Sequence, residues 1–539
     1  MSTVGEAVAA TLAAHGVTDL FGIPGVHTLA LYDGLVRQPE LRHIVTRHEQ
    51  GAAFAADGYA RVSGRPGVAS VTTGPGAFNA LTAVAEAWAD SSRVLLLAGQ
   101  VATHEMGRRT GVLHETPDQP AAFRAVTAYT GCPRSDAEVP AAVSEAFRAM
   151  SAARPRPAYV ELPNDLLRAE LPGFAPAVHA PTPPVIPAAE DIRRAAAMLG
   201  SARRPLILLG AGVTVSRGED ELRRLAERLG APVLPTGPAM GTLPDDHPLC
   251  GDFISSANPA HASLFAEADV VLAAGAHLGF NSTASWTVPL TRLIHLNIEA
   301  DVIGRSYPAE VGLVGDAKAG LGALLDELGA GAPASDAAWG APRAARARRE
   351  LRATFRPEVG RIDRAMLEAR TALPRESVVS HDAAGFNFWS AYAWPAYCPA
   401  GSLWPWGSAT LGFALPTAIG AAVALGGTTP VMAACGDGGF LFTAMELATA
   451  VMQSLPVIVL VHNDQGFRSI GHHQIKDYGG RLIGTELVNP DLVAFAGSFG
   501  VHTDRVEDIG GLPAAVRRAV ATQGPAVIEI TDPLGRPWA

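Results

Sequence analysis

Two oxygen donors, each at the end of an apolar run, are the side chains whose type and spacing best suit chemistry. Asp437 follows the run Val431–Cys435 inside Gly436-Asp437-Gly438-Gly439, and Asn463 follows the run Pro456–Val461 inside His462-Asn463-Asp464. A carboxylate and an amide oxygen suit a hard cation such as Mg2+, which takes a few protein oxygens and completes its shell with phosphate and water. Bare glycine backbone lets N–H groups approach phosphate oxygens. The two donors are 26 residues apart, room for one loop, one helix and one strand. The helix-compatible segment Phe440–Gln453 fills that interval. The unit is therefore strand, helix, strand, with parallel strands whose C-terminal loops share one crevice. Read locally, the glycines are also compatible with a tight turn and Asn463 with a turn former.

The elements that must hold this unit extend over the whole chain. At 539 residues the chain is too long for one core and suggests about three domains. Apolar residues make up 48% and charged ones 17%, which allows large buried cores. From Val4 to about Leu171, helices alternate with short apolar strands at Thr18–Phe21, His43–Val45, Val68–Thr72, Val94–Leu97 and Ala158–Leu162. The Pro/Ala-rich stretch Leu171–Ala189 reads as an extended linker. A second block to about Leu328 has strands at Pro205–Leu209, Pro232–Pro235, Val270–Ala274 and Leu293–Ile298. Gly210-Ala211-Gly212 is only a fragment of a dinucleotide fingerprint, and a plain strand-to-helix turn explains it. A small-residue, then Arg-rich stretch from Gly329 to Arg352 leads into a third block starting near Arg361. The expectation is three consecutive doubly wound α/β domains with parallel sheets, spanning 1–171, 190–328 and 361–539. A formal net charge of −10 argues against nucleic-acid or anionic-membrane partners. Cys132, Cys250, Cys398 and Cys435 form no CxxC and read as reduced thiols of a cytoplasmic protein. The N-terminus reads as an amphipathic helix, and no apolar run reaches membrane-spanning length.

Gly436-Asp437-Gly438 followed by Asn463 resembles the signature of the thiamine-diphosphate enzymes, and the likeness extends over almost the full length. The acetolactate synthase and 2-oxo-acid decarboxylase group has this order of pyrimidine-binding, middle and diphosphate-binding domains. The resemblance implies Asp437, Asn463 and the backbone carbonyl of Gln465 as Mg2+ ligands, with Gly436, Gly438, Gly439 and Gly466 beside the cofactor. Asn463-Asp464-Gln465 departs from the commoner Asn-Asn and leaves the shape of that loop open. The cofactor works through an ylid at C2, generated when a carboxylic acid faces its aminopyrimidine ring. Arg47-His48-Glu49-Gln50-Gly51, after the strand His43–Val45, resembles the activating motif, with Glu49 as that acid. By position alone Glu49 reads first as a first-turn residue favoured by the helix dipole, and it is the resemblance that makes it the acid.

The same resemblance assigns other positions. Thr73–Asn79 resembles the active-site GPG turn, making Gly74 and Asn79 cofactor neighbours, although Asn79 also suits a helix cap. Gly407–Phe413 resembles the segment that bends the cofactor, with Leu411 as an apolar wedge and the Ala409 carbonyl orienting the amino group. Asn387, in Asp382–Asn387, is a candidate diphosphate contact. His114 stands where acetolactate synthases show Gln and several decarboxylases show His, and imidazole can bind a carboxylate or carry a proton. Leu113–Gln119 is also similar to a string of decarboxylases acting on cationic 2-oxo acids, where Glu115 and Asp118 would hold a guanidinium unless they cap the local turn. Arg468, Ile470 and His473 are expected at the substrate entrance.

The leading expectation is a thiamine-diphosphate- and Mg2+-dependent 2-oxo-acid decarboxylase that forms an enamine and releases an aldehyde. The alternative is an acetolactate synthase-like carboligase in which the enamine attacks a second carbonyl compound. A third class, a non-catalytic cofactor binder or nucleotide-binding oxidoreductase, fits less well, because Glu49, Asp437 and Asn463 are all present and no complete GxGxxG follows a strand. FAD, held by acetolactate synthases across the middle domain, is left open by Gly210–Gly212 and His295–Ile298. The family also implies a homodimer or homotetramer in which Glu49 of one chain faces Asp437 and Asn463 of another.

Overall fold

The computed structural model describes every residue except 1, 181, 255–260, 332–333, 354–358, 386 and 535–539, and for 359, 387 and 388 the backbone alone. Three parallel sheets follow one another along the chain. The first contains β1 (Asp19–Gly22), β2 (Arg42–Val45), β3 (Gly67–Val71), β4 (Val94–Gln100), β5 (Tyr129–Gly131) and β6 (Ala158–Pro163), in the order β2-β1-β3-β4-β6-β5. The second contains β7 (Pro205–Leu209), β8 (Val233–Pro235), β9 (Val270–Ala274), β10 (Leu293–Asn297) and β11 (Val311–Val314), ordered β11-β10-β9-β7-β8. The third contains β12 (Val379–His381), β13 (Ser402–Leu403), β14 (Val431–Gly436), β15 (Val457–His462), β16 (His502–Val506) and β17 (Ala526–Ile530), ordered β13-β12-β14-β15-β17-β16.

Side-chain alternation explains why these runs are strands buried on both faces. Phe21, Ala69, Val71, Leu96 and Ala98 point to one face of the first sheet, and Leu20, Val68, Leu95, Leu97 and Val160 to the other. In the third sheet Val431, Ala433, Cys435, Val457 and Val459 join the same core as Phe21 and Ala69. Met432, Ala434, Ile458, Leu460 and Ile528 pack on the opposite side. The first and third sheets therefore share one hydrophobic core, whereas the middle sheet builds its own on its two faces.

Two helices, Glu49–Ser63 and Ala414–Ala424, cross inside the shared core. Their backbones approach so closely that a Cβ on Gly420 would lie 1.8 Å from the Ala55 carbonyl oxygen, and one on Gly58 2.1 Å from that of Thr417. Only glycine fits at either position. Phe54 meets Phe413 edge-on across the same seam at 5.4 Å between ring centroids.

The strands expected from apolar runs occur, Pro205–Leu209 and Val270–Ala274 with the expected ends and the others with ends moved by one to three residues, and β5, β11, β12, β13, β16 and β17 join them. Several of these are too short or too polar to stand out: Ser402–Leu403 has two residues, and His502–Val506 carries four polar ones in a row. The helix expected over Phe440–Gln453 begins earlier, at Asp437, and is broken into Asp437–Thr443, a tight turn at Ala444–Glu446, and Leu447–Met452. The break turns the carboxylate of Glu446 inward, where it is buried. Among the described residues no helix or strand lies between Arg168 and Ala189, and the Arg-rich stretch forms the helix Ala341–Ala353. Among the described residues no helix is long and apolar enough to cross a membrane, and the four cysteines are free thiols.

Candidate active site

β12 and β14 are neighbours at the point where the strand order of the third sheet reverses, so the loops beyond their carboxyl ends border a ligand crevice. Asp437 follows β14, and Gly436 is in register with His462 on β15, which puts Asn463 beside it. The Asp437 carboxylate is buried, accepting the Gly438 N–H through Oδ1 (2.8 Å) and the Gly466 N–H through Oδ2 (3.1 Å). The Asn489 amide donates to Asp437 Oδ2 at 2.5 Å and to Asn463 Oδ1 at 3.0 Å. Asn463 in turn donates to Glu529 Oε1 at 2.7 Å, and its N–H bonds the Ile530 carbonyl. Two of the expected metal ligands thus aim oxygen atoms at one point, now taken by a hydrogen-bond donor. A cation suits that donor set. The Gln465 carbonyl, the expected third ligand, accepts from the Leu487 N–H at 2.9 Å and from Arg468 at 3.3 Å. Gln465 itself has φ +53°, and a Cβ on Gly438 would lie 2.4 Å from the Phe467 ring, so this cradle needs bare backbone.

A second group of expected residues gathers at the ends of β1, β2 and β3. Glu49 opens the Glu49–Ser63 helix, whose cap is the His48 imidazole accepting the Gln50 N–H at 3.1 Å. The half-buried Glu49 carboxylate accepts from the Asn79 amide at 2.9 Å, and a Cβ on Gly76 would lie 3.2 Å from its other oxygen. Asn79 is inside the helix Pro75–Ala89, so its side chain serves Glu49 and not a helix end; the cap position is Gly74. Gly74 has φ +62°, donates to the buried Gln119 at 2.7 Å, and would place a Cβ 2.7 Å from the His114 carbonyl. His114, at φ +66°, stacks obliquely on His27 with ring centroids 5.5 Å apart. The Nδ1 atoms of both rings are buried without a hydrogen-bond partner among the described residues. Burial, then the neighbouring His114, holds His27 below the usual imidazole range. Among the described residues no hydrogen bond joins this group to the Asp437 group of the same chain.

The profile of the N-terminal TPP-binding domain of thiamine pyrophosphate enzymes matches residues 2–122, that of the central domain 192–324, and that of the C-terminal TPP-binding domain 382–530. The chain belongs to the thiamine pyrophosphate enzymes. A probable 2-ketoarginine decarboxylase of Pseudomonas aeruginosa is 37% identical over 538 residues, 99% of this chain and 95% of that protein. A probable acetolactate synthase large subunit of Methanocaldococcus jannaschii is 32% identical over 98% of this chain and 92% of its own length. An acetolactate synthase of Mycobacterium bovis is 32% identical over 94% and 84%. The protein is thus a thiamine-diphosphate-dependent enzyme of the decarboxylase and acetolactate synthase kind.

In this thiamine-diphosphate enzyme the segment with Ala409 and Leu411 is anchored from the first domain. Glu86 accepts the N–H groups of Gly407 (3.2 Å) and Ser408 (3.3 Å) and the Thr410 hydroxyl (3.0 Å). Ala409 has φ +53° and is exposed, and Leu411 is half-buried. Asp382, after β12, accepts the Ala414 N–H at 2.8 Å, and burial pushes its carboxyl up to about 6. The side chain of Asn387 lies outside the described residues.

The expected substrate residues divide between the two groups, and the charged ones among them have partners of their own. Glu115 accepts the backbone N–H groups of Arg109 (2.7 Å) and Gly111 (2.9 Å), and Asp118 caps the helix Gln119–Arg124 through the Ala121 N–H. Arg468 is committed to Glu486 (2.6 Å) and to the carbonyl oxygens of Asp464 and Gln465. Ile470 is exposed, and His473 faces Asp477 at 3.4 Å. Sequence reasoning missed His27, Asn489, Glu529, Glu86 and Glu446. Of these only His27 carried a local signal, its place just past β1 in Gly22-Ile23-Pro24-Gly25-Val26-His27. A cavity of about 810 Å³ also opens between the first and middle domains, with Gly210–Gly212 and Asn297-Ile298 on its wall.

Proposed function

We propose that the enzyme removes CO₂ from a 2-oxo acid without oxidation and releases an aldehyde, using Mg2+ to hold the cofactor's diphosphate. When bound, thiamine diphosphate supplies a carbon nucleophile and an electron sink for the departing carboxylate. Asp437, Asn463 and the Gln465 carbonyl would hold the ion, and the glycines Gly436, Gly438, Gly439 and Gly466 would border the diphosphate, with Asn387 a further contact. Glu49, steadied by Asn79, would exchange a proton with the pyrimidine ring. The observation that carries the decarboxylase reading is His114. An imidazole whose buried Nδ1 has no hydrogen-bond partner among the described residues, beside the Glu49 turn, can give a proton to the carbon that CO₂ has left, as aldehyde release requires.

The substrate in this reading carries a cationic side chain, as 2-ketoarginine does. The 37% identity to a probable 2-ketoarginine decarboxylase supports it. So do Glu115 and Asp118, whose carboxylate oxygens keep lone pairs beyond the backbone bonds they accept. Arg468, Ile470 and His473 would border the entrance. The carboligase reading is favoured by the acetolactate synthases at 32% identity. Offering the pure enzyme pyruvate, 2-ketoarginine and neutral 2-oxo acids separates the two. Aldehyde and CO₂ from 2-ketoarginine are expected; acetolactate from pyruvate as the main product overturns the proposal. A flavin absorption spectrum in the purified protein would add FAD, for which the proposal has no use.

We further propose that domains 1–171, 190–328 and 361–539 assemble as a homodimer or homotetramer in a reducing cytoplasm, with each active site shared between chains. Glu49 is only half-buried here, and Phe78, Phe442, Met445 and Met452 leave 39% or more of their surface exposed on the two domains that carry the site. Mixing Glu49→Gln chains with Asp437→Asn chains tests this. A shared site regains activity in the mixed dimer, because one of its two sites then has both wild-type residues. No recovery in verified mixed dimers rejects it. Loss of the bound cofactor on chelation, reversed by Mg2+, is the matching test of the metal.

A further inference from the structure

Two buried carboxylates cross the seam between the first and third domains in opposite directions. Glu446, from the third domain, is 1% exposed and accepts the N–H groups of Arg47 (3.0 and 3.2 Å) and His48 (3.0 Å). Those are the two residues immediately before Glu49. The Thr449 hydroxyl lies 2.6 Å from Glu446 and 3.2 Å from the Val45 carbonyl, so the same grip reaches the end of β2. On the far side, a Cβ on Gly51 would lie 2.2 Å from Glu446 Oε1, so the first turn of the Glu49 helix rests directly on this carboxylate. Glu86, from the first domain, is fully buried and grips Gly407, Ser408 and Thr410, which surround Ala409 and precede Leu411. That segment sits against the Asp437–Thr443 helix, since a Cβ on Gly412 would lie 2.8 Å from the Phe442 Cβ.

A buried carboxylate is costly unless several donors satisfy it, and a merely adhesive seam needs none. Here both carboxylates bind backbone N–H groups of the loops that the chemistry uses. We propose that Glu446 and Glu86 are positioning residues: each chain uses them to fasten the acid-bearing loop of one active site to the ring-bending segment of the other. This rests on the shared-site reading, in which Glu49 serves the neighbouring chain's Asp437 while Ala409 and Leu411 serve their own. Neither residue touches the cofactor. Each fixes a backbone whose displacement by about 1 Å would slow chemistry by about 10²-fold.

The test uses the assembled holoenzyme with Glu446→Gln and Glu86→Gln, each keeping the side-chain shape while replacing an accepting oxygen with a donor. The first readout is hydrogen–deuterium exchange at C2 of the bound cofactor without substrate. The second is amide exchange over residues 45–51 and 406–411 in the cofactor-free protein. Glu446→Gln is expected to slow C2 exchange by about 10²-fold and to speed amide exchange over 45–51. Glu86→Gln is expected to speed amide exchange over 406–411 and to slow C2 exchange as well. Folded variants with a lower melting temperature but the parental C2 exchange rate would reduce both residues to adhesive and overturn the proposal. If Glu446→Gln does not fold, Thr449→Val removes one donor to the same carboxylate, and a parental C2 rate there also overturns it. Glu49→Gln is the reference. Parental C2 exchange in that variant sinks the functional reading itself, whereas its loss beside a normal Glu446→Gln sinks this inference alone.

Discussion

The two halves of the site are held in opposite ways. The Asp437 half is wired within one domain: Asn489 bridges Asp437 and Asn463, Glu529 holds Asn463, and Asp437 is buried. The Glu49 half is half-exposed, its acid held by one amide from its own domain, while the loop before it is fixed by Glu446 of another. In the proposed reading the Asp437 half is a cation site, which tolerates this self-sufficiency because its oxygen ligands only need to converge. In the proposed reading Glu49 must trade a proton, which needs low polarity around it, and the neighbouring chain would supply that cover.

The largest effect should come from the acid half. Glu49→Gln should lower kcat/KM by about 10²–10⁴-fold, the usual weight of a general acid–base group, while cofactor binding to the Asp437 half survives. A variant that also failed to bind cofactor would break the division of labour between the halves. Next is His114→Gln, expected to cut aldehyde release by about 10²-fold and to raise the share of carboligation products in an assay of both. An unchanged product ratio would remove His114 from the proton path. On the metal half, Glu529→Ala, which removes the acceptor holding the Asn463 amide, should weaken Mg2+ binding by about 10–100-fold, measured by titrating metal into the cofactor-bound protein. Its effect on turnover should vanish at saturating Mg2+, which no substitution in the acid half should do.

The smallest effect concerns stability beneath the metal half. His381, at the end of β12, bonds Ser390 and Ser402 and stacks on Trp404. Burial alone lowers its pKa from 6.5 to about 3. The folded state keeps this ring neutral while the unfolded chain protonates it below about 6.5, so its contribution is intact above that pH and is lost as pH falls toward about 3. The melting-temperature gap between parent and His381→Asn should therefore narrow across that interval. A constant gap would mean that the ring titrates normally in the fold.

Much of the site could be read from the chain alone, because its backbone chemistry is local. A glycine run after an apolar strand, a carboxylate inside it and an amide at the end of the next strand need only their own neighbours to be recognised. The same holds for Glu49 opening a helix after β2 and for Gly74 at a positive φ. Their supports were not legible. Asn489 lies 26 residues beyond Asn463 in an irregular stretch, Glu446 looks like an ordinary helical Glu, and Glu86 sits in the last turn of an apolar helix. The roles expected for Glu115, Asp118 and Arg468 depend on where loops turn, and each of these side chains also bonds its own loop or the one beside it.

The order of residues by itself determined three parallel α/β units and which strand ends would carry a carboxylate, an amide and an acid, since side-chain periodicity and glycine placement act over a few residues. Only the tertiary structure decided that the first and third sheets share a core, that Gly58 and Gly420 let two helices touch, and that Glu86 and Glu446 reach across the seam. These depend on contacts between residues more than 300 positions apart, as from Glu446 to Arg47 at 399 and Glu86 to Gly407 at 321, and no local pattern encodes such a distance.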